Sequence, residues 1–344
     1  MESRWPNRKF DAAKPKAIRL SQKDLVTSSY LGQQKLPLVV RPVMDGIDLP
    51  IWAQQNRLWI ENELATHGAI LFRGFRVNSI EEFRDVATSV SNELIVYSER
   101  SSPRTELAHG VYTSTDHPAH QPIALHSEQS YTLNWPMKII FCCLQPARWG
   151  GQTPIASNRN ILQRLDETIL QEFAAKQVTY VRNYNQGLGL TWQIAFQTND
   201  RKQVEAYCHE SGIDYDWTGG DRLRTRQVRP ALTPHPKTGE RLWFNHVHFF
   251  SVSSLEASVS EAMLSVVKEE DLPYYTLYGD GSRIEPSVRD EIARAYTEEA
   301  VSFAWQQHDV LLLDNMLFAH GREPFGPPRK VVAAMADPLG VQTP

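Results

Sequence analysis

The 344-residue chain has little cysteine and no long apolar run. Its three cysteines, Cys142, Cys143 and Cys208, cannot build the disulfide framework of a small secreted domain, and no CxxC pair indicates structural zinc. No stretch reaches the ~18 apolar residues of a membrane span, and the first forty residues have no continuous apolar segment of a signal peptide. We therefore expect a cytoplasmic protein that does not bind membranes.

An excess of basic residues is also missing. The 36 lysines and arginines are outnumbered by 40 aspartates and glutamates, which gives a net charge of −4. A nucleic-acid-binding domain would present a basic face, so nucleic acid is not an expected partner. A small-molecule substrate is expected instead, and a homo-oligomer is compatible with this composition.

Several catalytic signatures are absent from the sequence. There is no GxGxxG after a strand, no GxxxxGK[ST], no HExxH and no GxSxG. These absences argue against nucleotide binding by a glycine-rich loop, zincin proteolysis and the nucleophile elbow of hydrolases.

Four segments carry helix signals. Ser79 and Glu82 have capping-box spacing, as do Ser253 and Glu256. Residues 158–176 repeat apolar side chains at helical intervals, and Pro286 stands at a favourable first helical position. These patterns predict helices that flank the strand-rich parts of the chain.

Strand-like segments are short, rich in β-branched and aromatic residues, and clustered rather than alternating with helices. They are 68–75, 122–131, 137–145, 153–156, 178–184, 241–250, 309–315 and 330–336. This order favours a mainly β, α+β fold: an antiparallel double-sheet barrel of jelly-roll type with helices outside it. We predict an N-terminal arm over 1–40 and a single domain over 41–344, with an insertion or lid around 185–230.

The segment "ALHSEQSYTLNWP" raises the first chemical hypothesis. On a strand, His126 and Glu128 would point to the same face, where they supply two of the three ligands of a 2-His-1-carboxylate iron site. Such a pair is also common by chance. The best candidate for the second histidine is His320, which follows the apolar run "DVLLL".

Two further residues strengthen the metal hypothesis. Thr153 follows a Gly-Gly turn, where its hydroxyl could donate to a carboxylate, and Arg329 enters the last predicted strand. A guanidinium inside a barrel needs an anionic partner. A dicarboxylate ligand would provide one, and this combination describes an iron(II) site that uses 2-oxoglutarate.

The chain resembles the taurine dioxygenase-like (TauD/TfdA) family of Fe(II)/2-oxoglutarate-dependent oxygenases. The resemblance covers roughly residues 40–337 and rests on five segments in family order: "GAILFRGF", "LHSEQSY", "PARWGGQTPIA", "HPKTGERLWFN" and "WQQHDVLLLDNMLFAHGREPFGPPRKVV". It implies a double-stranded β-helix core of the clavaminate synthase-like kind.

Carried over to this sequence, the resemblance implies that the catalytic iron ligands are His126, Glu128 and His320. It also implies that Thr153 and Arg329 contact 2-oxoglutarate. Glu128 stands where many members have aspartate, and His308 where they have glycine. Either Arg329 or Lys330 could be the anchor; strand alternation and the fork of the guanidinium favour Arg329.

The resemblance also implies the reaction. Fe(II), 2-oxoglutarate and O2 together abstract hydrogen from an unactivated C–H bond, with hydroxylation, desaturation or oxidative cyclisation as outcomes and succinate and CO2 as coproducts. The motif sequences are most similar to those of family members in natural-product pathways that act on amino acids, free or attached to a carrier protein. A sulfonate or aryloxyalkanoate substrate is the alternative, and a zinc-dependent hydrolase with the same triad is the alternative from another class.

Candidate substrate contacts follow from proximity to the ligand segments. They are Tyr131, Asn134, Trp243, Asn245, His248 and Arg322. Aromatic residues at strand spacing are more often part of the core, so each has a plain structural alternative. A second basic residue near the iron is also expected, and the candidates are Arg73, Arg104, Lys138, Arg182 and Arg322.

Overall fold

A computed structural model of the chain describes residues 25–32, 36–95, 99–184, 189–255 and 257–340. Most of the predicted arm lies outside these ranges, as does Glu256 of the second predicted capping box. No helix among the described residues is both long and apolar enough to cross a membrane.

The strands and helices alternate irregularly along the chain. The strands are β1 Val26–Tyr30, β2 Leu38–Pro42, β3 Ala69–Phe72, β4 Glu106–Ala108, β5 Val111–Thr113, β6 Ile123–His126, β7 Asn134–Gln145, β8 Trp149–Gly150, β9 Ile155–Ser157, β10 Val178–Tyr184, β11 Asp214–Trp217, β12 Leu223–Arg229, β13 Leu232–Pro234, β14 Arg241–Trp243, β15 Tyr274–Tyr278, β16 Val310–Asp314, β17 Phe318–Arg322, β18 Phe325–Gly326 and β19 Lys330–Gly340. The helices are α1 Leu49–Gln55, α2 Arg57–His67, α3 Ile80–Ser89, α4 Asn158–Arg164, α5 Glu167–Lys176, α6 Trp192–Phe196, α7 Arg201–Glu210, α8 Ala257–Val266 and α9 Pro286–Glu299.

Two sheets form the barrel. The larger has the order β1-β2-β3-β16-β7-β19-β5-β4 and is antiparallel except for the β2–β3 pair. The smaller has the order β6-β17-β9. Phe141 of β7, Ile155 of β9 and Phe318 of β17 belong to one buried apolar cluster, so the two sheets pack face to face. The predicted double-sheet jelly-roll with flanking helices is confirmed.

The central strands of the large sheet are buried on both faces. Along β7, Ile140 and Cys142 pack toward α1 and α3, whereas Phe141 and Cys143 face the barrel interior. Successive side chains of a strand point to opposite faces, so a strand covered on both sides must be apolar throughout. The adjacent cysteines therefore lie on opposite faces, and burial raises the pKa of the Cys143 thiol to about 12.

Residues 199–230, within the predicted insertion, contain α7, β11 and β12. These strands extend a four-stranded sheet in the order β11-β12-β10-β15. The segment around 185–188 lies outside the described residues, and a lid role for this region stays a prediction.

The predicted helix ends are confirmed in part. Ser79 Oγ accepts from the Glu82 backbone N–H at 3.1 Å, and α9 begins at Pro286. The single helix predicted over 158–176 is wrong: it is split into α4 and α5, because Asp166 leaves the helical conformation and caps a new helix by accepting from the Thr168 N–H. The predicted strand 241–250 is also shorter and ends at Trp243.

A buried ion pair fastens β3 to the start of β16. The Arg73 guanidinium donates to both carboxylate oxygens of Asp309 at 2.9 and 2.6 Å and also to the carbonyl of Ala304. His308, directly before Asp309, has φ +73°, in the left-handed region that glycine favours. Its ring forms a hydrogen bond with the carbonyl of Val77. This contact gives a histidine a role at a position where the resembled family has glycine.

We expect Arg73→Met to lower the free energy of unfolding by about 3–5 kcal/mol, because it leaves the carboxylate of Asp309 buried without its charged partner. The control is Arg76→Met, which removes the exposed Arg76–Asp45 pair and should cost less than about 1 kcal/mol. Urea unfolding followed by fluorescence measures both. Equal losses for the two variants would show that the buried pair contributes nothing special.

Candidate active site

The two histidines are placed by one strand pair. β17 pairs antiparallel with β6, and His320 is the register partner of His126. Their ring centroids lie 4.6 Å apart. β6 ends at His126, so Glu128 does not sit on the strand as the sequence predicted; it reaches the same place through a tight turn that continues to Gln129, where φ is +55°.

Asn315 fixes that turn, and sequence reasoning gave it no role. Its side-chain oxygen accepts from the Glu128 N–H at 2.7 Å, and its amide nitrogen donates to the carbonyls of Glu128 and Pro136 at 2.8 Å each. The side chain is fully buried. The only sequence signal was its position directly after the apolar strand β16, in the dipeptide Asp314-Asn315.

The ligand atoms of His126, Glu128 and His320 all lie within 4.8 Å of one another, and all three residues are buried. His126 donates its Nδ1–H to the carbonyl of Ala124 at 2.9 Å, which leaves Nε2 as the free ligand atom. Burial lowers the pKa of His126 and holds that of His320 well below the ordinary value, so both imidazoles are neutral at pH 7.

The donor set fits a divalent metal. The Nδ1 atom of His320 is buried and has no hydrogen-bond partner among the described residues. The orientation of the His320 ring is therefore not fixed by a hydrogen bond to Nδ1. Two neutral imidazoles and one carboxylate form the facial donor set typical of non-haem Fe(II), with three positions left open.

Thr153 and Arg329 lie in the wall of the same cavity. The Thr153 hydroxyl accepts from the indole N–H of Trp305 at 3.2 Å, so its own proton is available to an incoming carboxylate. Arg329 donates from Nε to the carbonyl of Gly151 at 2.9 Å and from Nη1 to Ser114 at 3.3 Å. The ion pairs of the described residues give Arg329 no carboxylate partner.

Arg329 is therefore the better-placed anchor of the basic pair. Burial lowers its pKa to about 10, with a smaller effect from Arg322, and the group stays cationic at neutral pH. Lys330 is exposed and does not line the cavity. This placement favours Arg329 over Lys330. The argument from strand alternation does not apply, because β19 begins at Lys330 and its register shifts between Lys330 and Val331.

The Gly-Gly turn gives Arg329 its space. A Cβ on Gly150 would lie 2.1 Å from the carbonyl oxygen of Pro324, and one on Gly151 would lie 2.9 Å from Cδ of Arg329. Both glycines have positive φ, +65° and +72°. Larger residues at either position would push the strand pair β8–β18 or the guanidinium out of place.

The cavity has a volume of about 700 Å³, and its wall combines cationic and polar side chains with a large apolar set. The cationic and polar side chains include Arg104, Thr153, Arg182, Arg322 and Arg329. The apolar and aromatic side chains include Phe249, Phe250, Val252, Leu255, Val259, Met263, Leu272 and Tyr274.

Most of the predicted substrate residues lie away from this cavity. Tyr131 donates its hydroxyl to the carbonyl of Glu99, Trp243 packs on Phe173 in the core, and Asn245 bonds the carbonyl of Ala231. Asn134 is exposed at the start of β7, and His248 stacks on Tyr296. None of the five is among the lining residues. For Asn245 and His248 the cause is that the strand ends at Trp243.

The basic candidates have different positions. Arg322 lines the cavity but donates to the carbonyls of His117, Pro118 and Gln121, and so holds that loop. Arg73 binds Asp309, and Lys138 pairs with Glu61 and Asp337. Arg104 and Arg182 both line the cavity and pair with Glu128 and Glu99, respectively.

Comparison with known proteins decides the family. A family model described as "Taurine catabolism dioxygenase TauD, TfdA family" matches residues 31–335. The chain belongs to this family. The TauD-family protein described here is a non-haem dioxygenase that depends on Fe(II), 2-oxoglutarate and O2.

Relatives of this TauD-family dioxygenase include one protein named for a synthesis. The dapdiamide synthesis protein DdaC of Enterobacter agglomerans is 41% identical over 280 residues, which cover 81% of this chain and 85% of that protein. A clavaminate synthase-like protein of Arabidopsis thaliana is 27% identical over 336 residues, 90% and 98% of the two chains. The crystal structure of PvcB from Pseudomonas aeruginosa has the same fold, with a TM-score of 0.55 at 17% identity over 94% and 95% of the chains.

We expect Arg329→Ala to raise the 2-oxoglutarate concentration at half-maximal succinate release at least ~30-fold, because the cosubstrate carboxylate would lose a buried charged partner. Lys330→Ala is the matched control and should stay within about twofold. Steady-state titration of 2-oxoglutarate at saturating Fe(II) measures both. The reverse ranking would assign the anchor to Lys330.

Proposed function

We propose that His126, Glu128 and His320 bind the Fe(II), and that Thr153 and Arg329 bind 2-oxoglutarate. The observation that carries this assignment is the convergence of three potential ligands within 4.8 Å on a cavity whose wall also holds the threonine and the arginine. The reaction we propose is oxidation of an unactivated C–H bond of a small molecule.

The protein's own residues have separate tasks in this reaction. When bound, Fe(II) with 2-oxoglutarate and O2 supplies the oxidising power, and succinate and CO2 are the coproducts. Arg329 and Thr153 orient the cosubstrate by binding its carboxylates. The ring of Phe249, 4.5 Å from that of His126, excludes water beside the metal site.

We propose an amino acid or aminoacyl derivative as the substrate, oxidised by hydroxylation or by desaturation or cyclisation. The dapdiamide synthesis relative supports a place in natural-product biosynthesis. A cavity of about 700 Å³ is in the range that holds drug-sized ligands, which favours a derivative over a free small amino acid. The many apolar side chains of its wall suit an extended neutral group, including the arm of a carrier-bound substrate.

Two other functions are less well supported. A sulfonate or aryloxyalkanoate would be small for a cavity of about 700 Å³. A zinc hydrolase would use the same three ligands but gives Thr153 and Arg329 no task, and the family match argues against it.

We expect anaerobic addition of Fe(II) and 2-oxoglutarate to give a weak visible charge-transfer band, and His126→Ala or Glu128→Ala to abolish it. The reason is that the bidentate cosubstrate needs a metal held by the facial ligands. Absorption spectroscopy provides the measurement, with Lys330→Ala as the exposed control that keeps the band. No band in the unaltered protein, together with unchanged Fe(II) affinity in both variants, would refute the assignment.

The substrate class is tested by succinate release. We expect free amino acids, alkyl sulfonates and aryloxyalkanoates to stimulate succinate formation less than N-acyl or thioester derivatives of amino acids, because only the latter are large enough to fill the cavity. The strongest stimulation by a sulfonate would favour the alternative substrate class. Hydrolysis of an ester or amide with added Zn(II) and no 2-oxoglutarate would favour the hydrolase.

A further inference from the structure

We propose that Arg104 is a positioning residue that holds the carboxylate of Glu128 ready for the metal; this inference rests on the proposed metal site. Nη2 of Arg104 donates to Oε2 of Glu128 at 2.5 Å. The two side chains are only 4% and 1% exposed. A hydrogen bond between two charged groups in such a place is short, strong and little screened by water.

Glu128 needs such a partner because it lies in a turn. Asn315 fixes its backbone through both the N–H and the carbonyl but does not reach the carboxylate. The side chain still has three rotatable bonds between the backbone and the carboxylate. Asn315 and Arg104 together therefore fix both ends of the residue.

Arg104 is itself held by its neighbours. Its carbonyl accepts from Nη1 of Arg100 at 3.1 Å. Thr105 and Thr113 exchange two bonds, from the Thr105 N–H to the Thr113 hydroxyl and from the Thr113 N–H to the Thr105 carbonyl. The backbone from the Arg104 carbonyl through Thr105 is thus tied in place, which limits where the guanidinium of Arg104 can reach.

Ligation and the ion pair are compatible. A carboxylate offers two oxygens with about four lone-pair sites, so a guanidinium and a metal can share it. The guanidinium also offsets the cost of burying the carboxylate before a metal binds. Arg104 thereby keeps the Glu128 carboxylate charged and in position to bind a metal.

The Arg104–Glu128 pair also explains why residue 128 is glutamate and not the shorter aspartate. Aspartate at this position would withdraw the carboxylate by one C–C bond, about 1.5 Å. With the backbone held by Asn315, that shortening takes the carboxylate out of hydrogen-bond reach of Nη2. Glutamate and Arg104 form a matched pair in this chain.

A competing role is contact with an anionic group of the substrate, because Arg104 also lines the cavity. The two roles differ in a measurement without substrate. Mutation of a positioning residue changes the affinity for the metal measured without substrate or cosubstrate. Mutation of a substrate contact changes only the substrate concentration at half-maximal activity.

The test is Co(II) binding to the purified apoprotein, followed by absorption, with no cosubstrate or substrate. We expect Arg104→Met to raise the Kd for Co(II) about 10–100-fold, the usual cost of losing a partner of a metal ligand, and Arg104→Lys to recover part of the loss. Glu128→Asp should also weaken binding, and adding Arg104→Met to it should cost little more. Arg73→Met is the matched control: it breaks another buried arginine–carboxylate pair and should leave the Kd within about twofold.

The possible results separate the two proposals. If Glu128→Ala and His320→Ala bind Co(II) like the unaltered protein, the metal site itself is wrong. If they lose Co(II) but Arg104→Met does not, the metal site stands and the positioning role is refuted. Equal weakening in Arg104→Met and Arg73→Met would refute it too, since the cause would then be general destabilisation.

Discussion

The site depends on the pairing of β6 with β17. In an antiparallel pair a shift of one residue turns every side chain to the other face, so the register that sets His126 opposite His320 also decides whether both rings face the cavity. Phe141 of the large sheet packs edge-on against His320 at 5.2 Å, which ties that register to the packing of the two sheets. The geometry of the proposed metal site therefore depends on the packing of the barrel core.

Two arginines give the cavity wall positive charge. Arg322 and Arg329 lie over the ring of Phe325 at 5.1 and 5.3 Å, and neither has a carboxylate partner among the ion pairs of the described residues. A dianionic cosubstrate suits these two cations. Much of the remaining wall is apolar, so charge favours an anion beside the arginines, whereas shape and hydrophobic contact favour an apolar group against the rest of the wall.

Much of this structure was predictable from local sequence signals. The cap at Ser79, the proline that opens α9 and the apolar runs of β7, β16 and β19 each act over a few residues. The ordered motifs predicted His126, Glu128 and His320 as ligands and Thr153 and Arg329 as cosubstrate contacts, and these roles stay predictions. The helix break at Asp166 was missed because the apolar period continues across it. Capping by aspartate ended the pattern that periodicity alone would extend.

The less predictable residues act over long sequence distances. Asn315 bonds Glu128 across 187 positions and Arg104 reaches it across 24, and no local pattern encodes either contact. Trp243, Asn245 and His248 were expected near the substrate because a strand continued to residue 250 would have carried them past the ligands. The strand ends at Trp243, which packs in the core, and Asn245 and His248 bind other partners outside the cavity wall.

Asn315 has a consequence for moving this site elsewhere. The carboxylate of Glu128, the proposed metal ligand, is not carried by regular secondary structure. The position of Glu128 follows from one buried amide that joins the turn after β16, the turn after β6 and the carbonyl of Pro136 in β7. Introducing only the His-x-Glu pair and the second histidine into another barrel would transfer the donor atoms without the hydrogen bonds that align the glutamate. A design would have to include the asparagine as a fourth residue.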